Sequence, residues 1–365
     1  MTKAAELAKW GEVSTNGQVS GRRNIIINGA MNVAQRSASE TGLGAAAGYF
    51  TCDRWKVEIG STAGRFTMSQ TADGPNGVSA NCLKLDCTTA DTSIAAAEYL
   101  ILSQLFEGQD LQGIGKGVSG AKQVTLSFYV KANAAFTFIA EFQDQDNVRL
   151  NGNTFATTTD WVRHEITFEA DADDGSSPFD DDNAASARIN FWLHAGSDYS
   201  SGTLASGWEN RTDVNRSAGI DSFFSSTDNT FFITGVQMEV GSVATPFEHR
   251  SFGEELALCQ RYYQQIVGVS DQTILGSGRA NGSSIAEVAV PLAVSLRASP
   301  TMNSLAFVNF GTGGHGGATA TPTVRKFTPE GAVLHLAFAG SGLTNNRTAT
   351  VSTNSASTLT MNSEL

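Results

Sequence analysis

The chain has 365 residues, of which 41% are hydrophobic and only 16% charged, with a net charge of −12 and a pI near 4.9. That length accommodates two or three domains. The acidity repels phosphate backbones and anionic lipid, which argues against nucleic acid and bare membrane as partners. No apolar run reaches the roughly 18–20 residues of a membrane span, so membrane insertion is not expected.

Glycine is common at 37 residues while proline counts 7, the balance of many short strands joined by Gly, Asn and Ser turns. The charge is uneven. Residues 271–365 hold five Lys and Arg against four Asp and Glu, so the acid lies almost wholly before them. Two charge regimes predict two differently employed regions.

Residues 2–10 read as a short helix, capped by Thr2, with Leu7 and Trp10 three apart on one face. Alone it is too short to be stable in water, so it is expected to anchor or oligomerise through that face. It has no apolar h-region and does not read as a secretory signal. Gly11 to Gly21 is a polar linker, giving an N-terminal segment 1–21.

A domain over residues 22–250 follows. Ile25-Ile26-Ile27 before Asn28-Gly29 predicts a strand and tight turn. Tyr49–Val57 and Gly64–Ser69 are strand-like, and Val124–Lys131, Phe136–Phe142, Trp161–Phe168 and Ala187–Leu193 more strongly so. Phe231–Val240 alternates around Gly235 and ends at Thr245-Pro246, where the missing proline N–H stops the ladder. Turn-bounded strands at this spacing predict a mainly β fold, a β-sandwich of jelly-roll type. Nothing alternates as βαβ.

Ser251 and Glu254 form a capping-box pattern opening a connecting helix, 251–268, with Leu256, Cys259, Tyr263 and Ile266 on one stripe for packing or oligomerisation. Residues 269–365 resume as a C-terminal β domain, with strands expected at 284–290, 294–297, 304–310, 332–339 and 348–352 and a flexible loop from Gly311 to Gly317 that presents His315.

Several strings converge on one family. Arg22-Arg23-Asn24-Ile25-Ile26-Ile27-Asn28-Gly29-Ala30-Met31-Asn32-Val33-Ala34-Gln35-Arg36, Thr51-Cys52-Asp53-Arg54-Trp55, the run from Gly235 to Tyr263, and Val290-Pro291 to Pro300-Thr301 resemble strings of tail-fibre and related virion appendage proteins of bacteriophages. Met238 and Cys52 depart from the pattern conservatively. The resemblance implies a galactose-binding-like, carbohydrate-binding-module-like jelly roll followed by a β domain. It also implies assembly as a homo-trimer with other virion tail or capsid proteins, and recognition of a host cell-surface glycan.

The chemistry-bearing candidates are few. Loop aromatics Tyr199, Trp208 and Trp161 suit sugar stacking, or else fold back to cover the sandwich edge. Asp171, Asp173 and Asp180 concentrate oxygen in one stretch, which suits a structural calcium or a solvated acidic loop; no other cofactor is expected. The cysteines lack zinc spacing, the histidines are isolated, and no triad or paired-carboxylate motif stands out, so no catalytic residue is assigned. Gly113–Gly117 lacks the Lys-Ser/Thr ending of a phosphate loop. The expected function is a non-enzymatic virion appendage that recognises host glycan. A structural head, neck or tail fibre, a polysaccharide depolymerase, or a glycan-binding module of a cellular enzyme stand as alternatives.

Overall fold

The computed structural model describes residues 22–172, 177–268, 273–303, 305–310, 315–328, 331, 333–339, 343–353 and 357–365. The expected N-terminal helix, with Leu7 and Trp10, lies outside the described residues, as do Asp173 and Gly311–Gly314.

The chain divides into two compact units, Met1–Glu255 with Leu365, and Leu256–Glu364. In the first, a six-stranded antiparallel sheet has the order β1 (Ser39–Leu43), β4 (Arg65–Thr71), β5 (Cys82–Thr89), β13 (Thr230–Val240), β7 (Val124–Ala132), β10 (Val162–Phe168). A seven-stranded sheet runs β12 (Glu209–Asn210), β9 (Arg149–Ala156), β8 (Thr137–Asp144), β11 (Ala185–Ala195), β6 (Tyr99–Glu107), β3 (Lys56–Gly60), β2 (Gly48–Tyr49). Their inner faces share one core, in which Phe128 meets Phe191 edge-on at 5.0 Å and Phe138 meets Phe231 at 5.7 Å. This is a two-layer β-sandwich. Strand β7 shows its logic: Leu126, Phe128 and Val130 are buried in the core, while Tyr129 and Lys131 on the other face are only half-buried.

Strand β13 is central in its sheet, between β5 and β7, and its pairing with β7 shifts between Thr234 and Gln237. Gly235 supplies the bulge at φ +60°, where an added Cβ would sit 2.7 Å from Val78 and 2.9 Å from Tyr129.

The expected strand at residues 24–29 does not form. Ile25 N–H and Gly29 C=O bond to the backbone of β13, and side chains take most of its other backbone groups. Gln104 accepts from Ile27 N–H and donates back to Ile27 C=O, both at 2.8 Å. Glu255 accepts from Asn28 N–H at 2.6 Å. Asn24 takes Val236 C=O with its amide and accepts from Met238 N–H. Asn28, in the left-handed region at φ +58°, binds Val33 and Asp53 through its amide, and its carbonyl accepts from the Trp55 indole. A Cβ on Gly29 would fall 2.0 Å from Val236 O. Asp53 accepts from Gln35 N–H at 2.9 Å, and Arg54 reaches Leu105 C=O. The strings 22–36, 51–55 and 235–255 thus meet in one buried polar clasp.

The connecting helix is shorter than expected. It spans Phe252–Gln260, opened by Glu254 N–H donating to Ser251 Oγ at 3.3 Å. Glu254's carboxylate pairs with Arg22 rather than closing the capping box. Tyr263 and Ile266 leave the helical stripe because Tyr263–Val267 is a strand paired with Thr358–Asn362. Leu256 is half-buried and Tyr263 buried.

The second unit holds a three-stranded sheet, Tyr263–Val267, Thr358–Asn362 and Thr301–Met302, and a seven-stranded sheet. The latter is ordered His315–Ala320, Leu305–Phe310, Thr348–Thr353, Thr273–Asn281, Ile285–Pro291, Val333–Ala339, Thr323–Lys326, around a separate core with Leu275, Val288, Leu336 and Val351. No strand forms at 294–297, because Gln264's side chain takes Ala293 N–H and Val294 C=O, and Arg297 N–H donates to Arg261 C=O. His315 begins a strand opposite Phe310 instead of tipping a loop. All four cysteines are buried and none forms a disulfide.

The clasp predicts that Asn28→Ala strips the partner from Val33 N–H and puts a Cβ-bearing residue without side-chain compensation at positive φ. We expect a loss of about 3 kcal/mol in chemical denaturation, with Asn28→Gly recovering about 1 kcal/mol of it by removing the backbone strain. An unchanged denaturation midpoint for Asn28→Ala would contradict the clasp's role.

Candidate functional site

In Phe231-Phe232-Ile233 the strand period sends Phe231 and Ile233 into the core and Phe232 to the outer face. Register places Phe232 opposite Lys131 on β7 and Lys84 on β5, and Lys84 opposite Ser69 on β4. Trp161 immediately precedes β10, whose Val162 pairs with Val130. The outer face of the six-stranded sheet therefore carries a ladder of Trp161, Lys131, Phe232 and Lys84.

The Lys131 ammonium lies 4.7 Å from the Phe232 ring centroid and 5.2 Å from that of Trp161, and Lys84 lies 5.7 Å from Phe232. Trp161 and Phe232 meet edge-on at 6.3 Å. Ammonium over an aromatic face is attractive, and the half-buried setting strengthens it. Each lysine has a counter-ion, Asp73 on Lys131 at 2.6 Å and Asp86 on Lys84 at 3.1 Å. Asp73 also fixes the indole, because Trp161 Nε1 donates to its carbonyl at 3.1 Å. From Asp73 the chain runs into a loop beside an open depression of about 670 Å³, lined among others by Asn32, Gly74, Asn76, Ser79 and His249. Rings, charged groups and amides thus adjoin on one face, the combination that orients a polyhydroxylated ring.

The other candidates sit elsewhere. Trp208 folds against the sandwich core, edge-on to Phe142 at 5.3 Å, with its Nε1 donating to Glu169 C=O at 2.8 Å. It covers an edge. Tyr199 joins a small cluster on the outer face of the seven-stranded sheet with Tyr99 and the fully buried Trp192, at 5.3 and 5.5 Å. Arg216 lies over Trp192 at 4.7 Å and grips Glu141 with two bonds, closing that surface.

Asp171 is buried and bonded by Arg149 through both carboxylate oxygens, with Lys116 alongside at 3.4 Å. Asp180 is exposed, and its backbone N–H donates to Asp146. Among the described residues, no group of three or more His, Cys, Asp or Glu is placed to hold a metal. The residues present do not fit a calcium ion at Asp171.

Sequence reasoning found Trp161 but missed Phe232, Lys131, Lys84 and the 72–80 loop. The signal was available in the adjacent phenylalanines, since two neighbours on one strand cannot both face inward.

No family model matches the sequence, and no curated protein matches it. Similar solved structures include a family 11 carbohydrate-binding module from Clostridium thermocellum in complex with a β-1,3-1,4-mixed-linked tetrasaccharide. That match is 13% identical, covers 57% of this chain and 99% of that one, and has a TM-score of 0.27. TmCBM61 in complex with β-1,4-galactotriose is 11% identical over 60% and 99% of the two chains, with a TM-score of 0.30. The N-terminal CBM22-1-CBM22-2 tandem domain of Xyn10C from Paenibacillus barcinonensis is 9% identical over 94% and 98%, with a TM-score of 0.28. Likenesses this distant say nothing of ligand or chemistry in this chain; its sandwich follows from its own strand pairing.

On β11, His194 packs edge-on against Phe224 and is buried between Ser222 Oγ at 2.8 Å and the Glu98 carboxylate at 3.3 Å. Burial holds its imidazole below the ordinary value of 6.5, against the raising influence of Glu98 and, more weakly, Asp91. A group with a depressed folded pKa contributes stability above its unfolded value and loses it as pH falls. An NMR titration should therefore place the His194 midpoint below 6.5, with stability declining below that pH and less so in His194→Gln. A midpoint at or above 6.5 would overturn the assignment.

Proposed function

We propose that this chain is a non-enzymatic surface protein of a bacteriophage virion, a tail-fibre-type appendage that recognises host cell-surface glycan through the outer face of the six-stranded sheet. The observation that carries the reading is the Trp161–Lys131–Phe232–Lys84 ladder beside the open depression. An aromatic ring offers a flat face to pyranose C–H groups. The paired ammonium and carboxylate groups offer hydrogen bonds to hydroxyls without leaving a charge uncompensated.

The virion setting rests on the resemblance of residues 22–36, 51–55 and 235–263 to appendage proteins. In that setting the chain is a homo-trimer bound to other virion tail or capsid proteins. One such site is weak, and copy number supplies the strength, because linked sites rebind at high effective concentration. The purely structural fibre stands as the second reading, favoured by the ladder's self-sufficiency, with Asp73 already serving both Lys131 and Trp161.

The test is binding of the purified chain to host envelope polysaccharide and to a broad glycan array, with its mass measured in solution. We expect binding, a trimer, and a roughly 10-fold loss of apparent affinity in Trp161→Ala with the sandwich still folded, the size of one lost stacking ring. A monomer that binds no glycan would overturn the reading in favour of neither fibre nor receptor role. A trimer that binds none would favour the structural fibre.

A further inference from the structure

The acidic stretch after β10 invites a divalent cation, yet the structure fills that place differently. Lys116 follows Gly115, which takes the left-handed conformation at φ +64° and turns the chain inward. The Lys116 side chain is 1% exposed, an unusual burial for an ammonium. Its Nζ lies 2.7 Å from Asp144 Oδ2 and 3.4 Å from Asp171 Oδ2, and donates to Ser177 C=O at 3.3 Å. The Phe179 ring closes one side at 5.5 Å.

The cage is itself built. Asn147 donates to both Asp144 oxygens and to Ser177 C=O, and accepts from Ser177 N–H. Gly117 N–H donates to Asp171 C=O at 2.9 Å. Arg149 completes the charge balance, so two buried carboxylates face two buried cations.

We infer that the Lys116 ammonium is a tethered replacement for a bound cation, and that the oxygen cage of Asp144, Asp171 and Ser177 is a site for one monovalent, hydrogen-bond-donating cation rather than for calcium. Its geometry is that of N–H···O bonds, longer than the 2.3–2.6 Å of calcium to oxygen, and three oxygens fall short of the six to eight calcium takes. Charge gives the same answer. With Arg149 in place, one further positive charge neutralises the cage, and a divalent ion would leave it net positive. A covalently tethered cation cannot be lost by dilution or chelation, whereas a bound metal stabilises only in proportion to its free concentration.

The experiment has two parts. In the unaltered protein, melting temperature is measured with EDTA and with millimolar CaCl2, alongside the ¹⁵N resonance of the Lys116 ammonium. We expect neither to respond to calcium, and the ammonium to be protected from solvent exchange. A melting temperature raised by calcium and lowered by EDTA would overturn the inference whether or not any variant folds. In the second part, Lys116→Ala leaves an uncompensated buried carboxylate and should melt on the order of 10 °C lower. Ethylammonium chloride should restore part of that loss, tetramethylammonium chloride at equal ionic strength should not, and Lys116→Met, which fills the space without charge, should respond to neither. Rescue of Lys116→Ala by calcium but not by ethylammonium, or an unchanged melting temperature, would contradict it.

Discussion

The sandwich depends on a buried polar clasp in which side chains, together with a few isolated backbone bonds instead of a continuous ladder, satisfy the backbone of residues 24–33. Buried N–H and C=O groups must find partners, and an irregular segment crossing a core has none of its own. Here Asn24, Asn28, Gln104 and Glu255 supply them, and Arg250 reaches the carbonyls of Asn24 and Ile26. The central strand β13 is held from the same place, since Ile25 N–H donates to Met238 C=O at 2.8 Å and Val236 N–H to Gly29 C=O at 3.0 Å. Beyond the bulge at Gly235, Glu239 and Gln237 bind Thr245, so the exit of the strand is fixed by its own alternate residues. Distant parts of the sequence are thereby locked into one register.

That arrangement separates what the motifs do from what the surface does. The strings that mark the resemblance to virion appendage proteins are occupied in holding the fold. Asn28 is needed for its left-handed backbone and its amide, Gly29 for close approach to Val236, and Trp55 for its core ring and indole N–H. The recognition proposed for this chain falls to positions the motifs do not include, chiefly the outward row on β5, β13 and β7. Asp171 is likewise absorbed into the fold by Lys116 and Arg149.

Much of the architecture was legible where apolar and polar residues alternate along a strand or a strand is strongly apolar. Strands β7, β10 and β13 alternate, β8 and β11 are apolar and buried on both faces, and all five were placed within a few residues. β6 escaped because its outward positions Tyr99, Ile101 and Leu105 are apolar while Gln104 on the inner side is polar. Leu100 and Leu102 enter the main core while Ile101 packs with Trp192 on the other side, so no period of two survives. β1 escaped because four of its five residues are exposed and polar or glycine. Residues 24–29 misled in the opposite way, because Ile25-Ile26-Ile27 has a strand's composition, but its N–H groups go singly to Met238 C=O, the Asn24 side chain and the Gln104 side chain and form no ladder. Non-local pairing turned Tyr263–Val267 from helix to strand. Of the site, Trp161 could be read as a loop aromatic, but the lysines and Phe232 that surround it come together only through register.

Hydrogen exchange of individual amides tests the clasp most directly, because it reads whether the segment opens alone or with the sandwich. The account predicts that the amides of Ile25, Ile27, Asn28 and Val33 exchange at the same rate as that of Met238 in the centre of the sheet, through global unfolding of the sandwich. Exchange of residues 24–33 orders of magnitude faster than Met238, by local opening that leaves β13 protected, would contradict it.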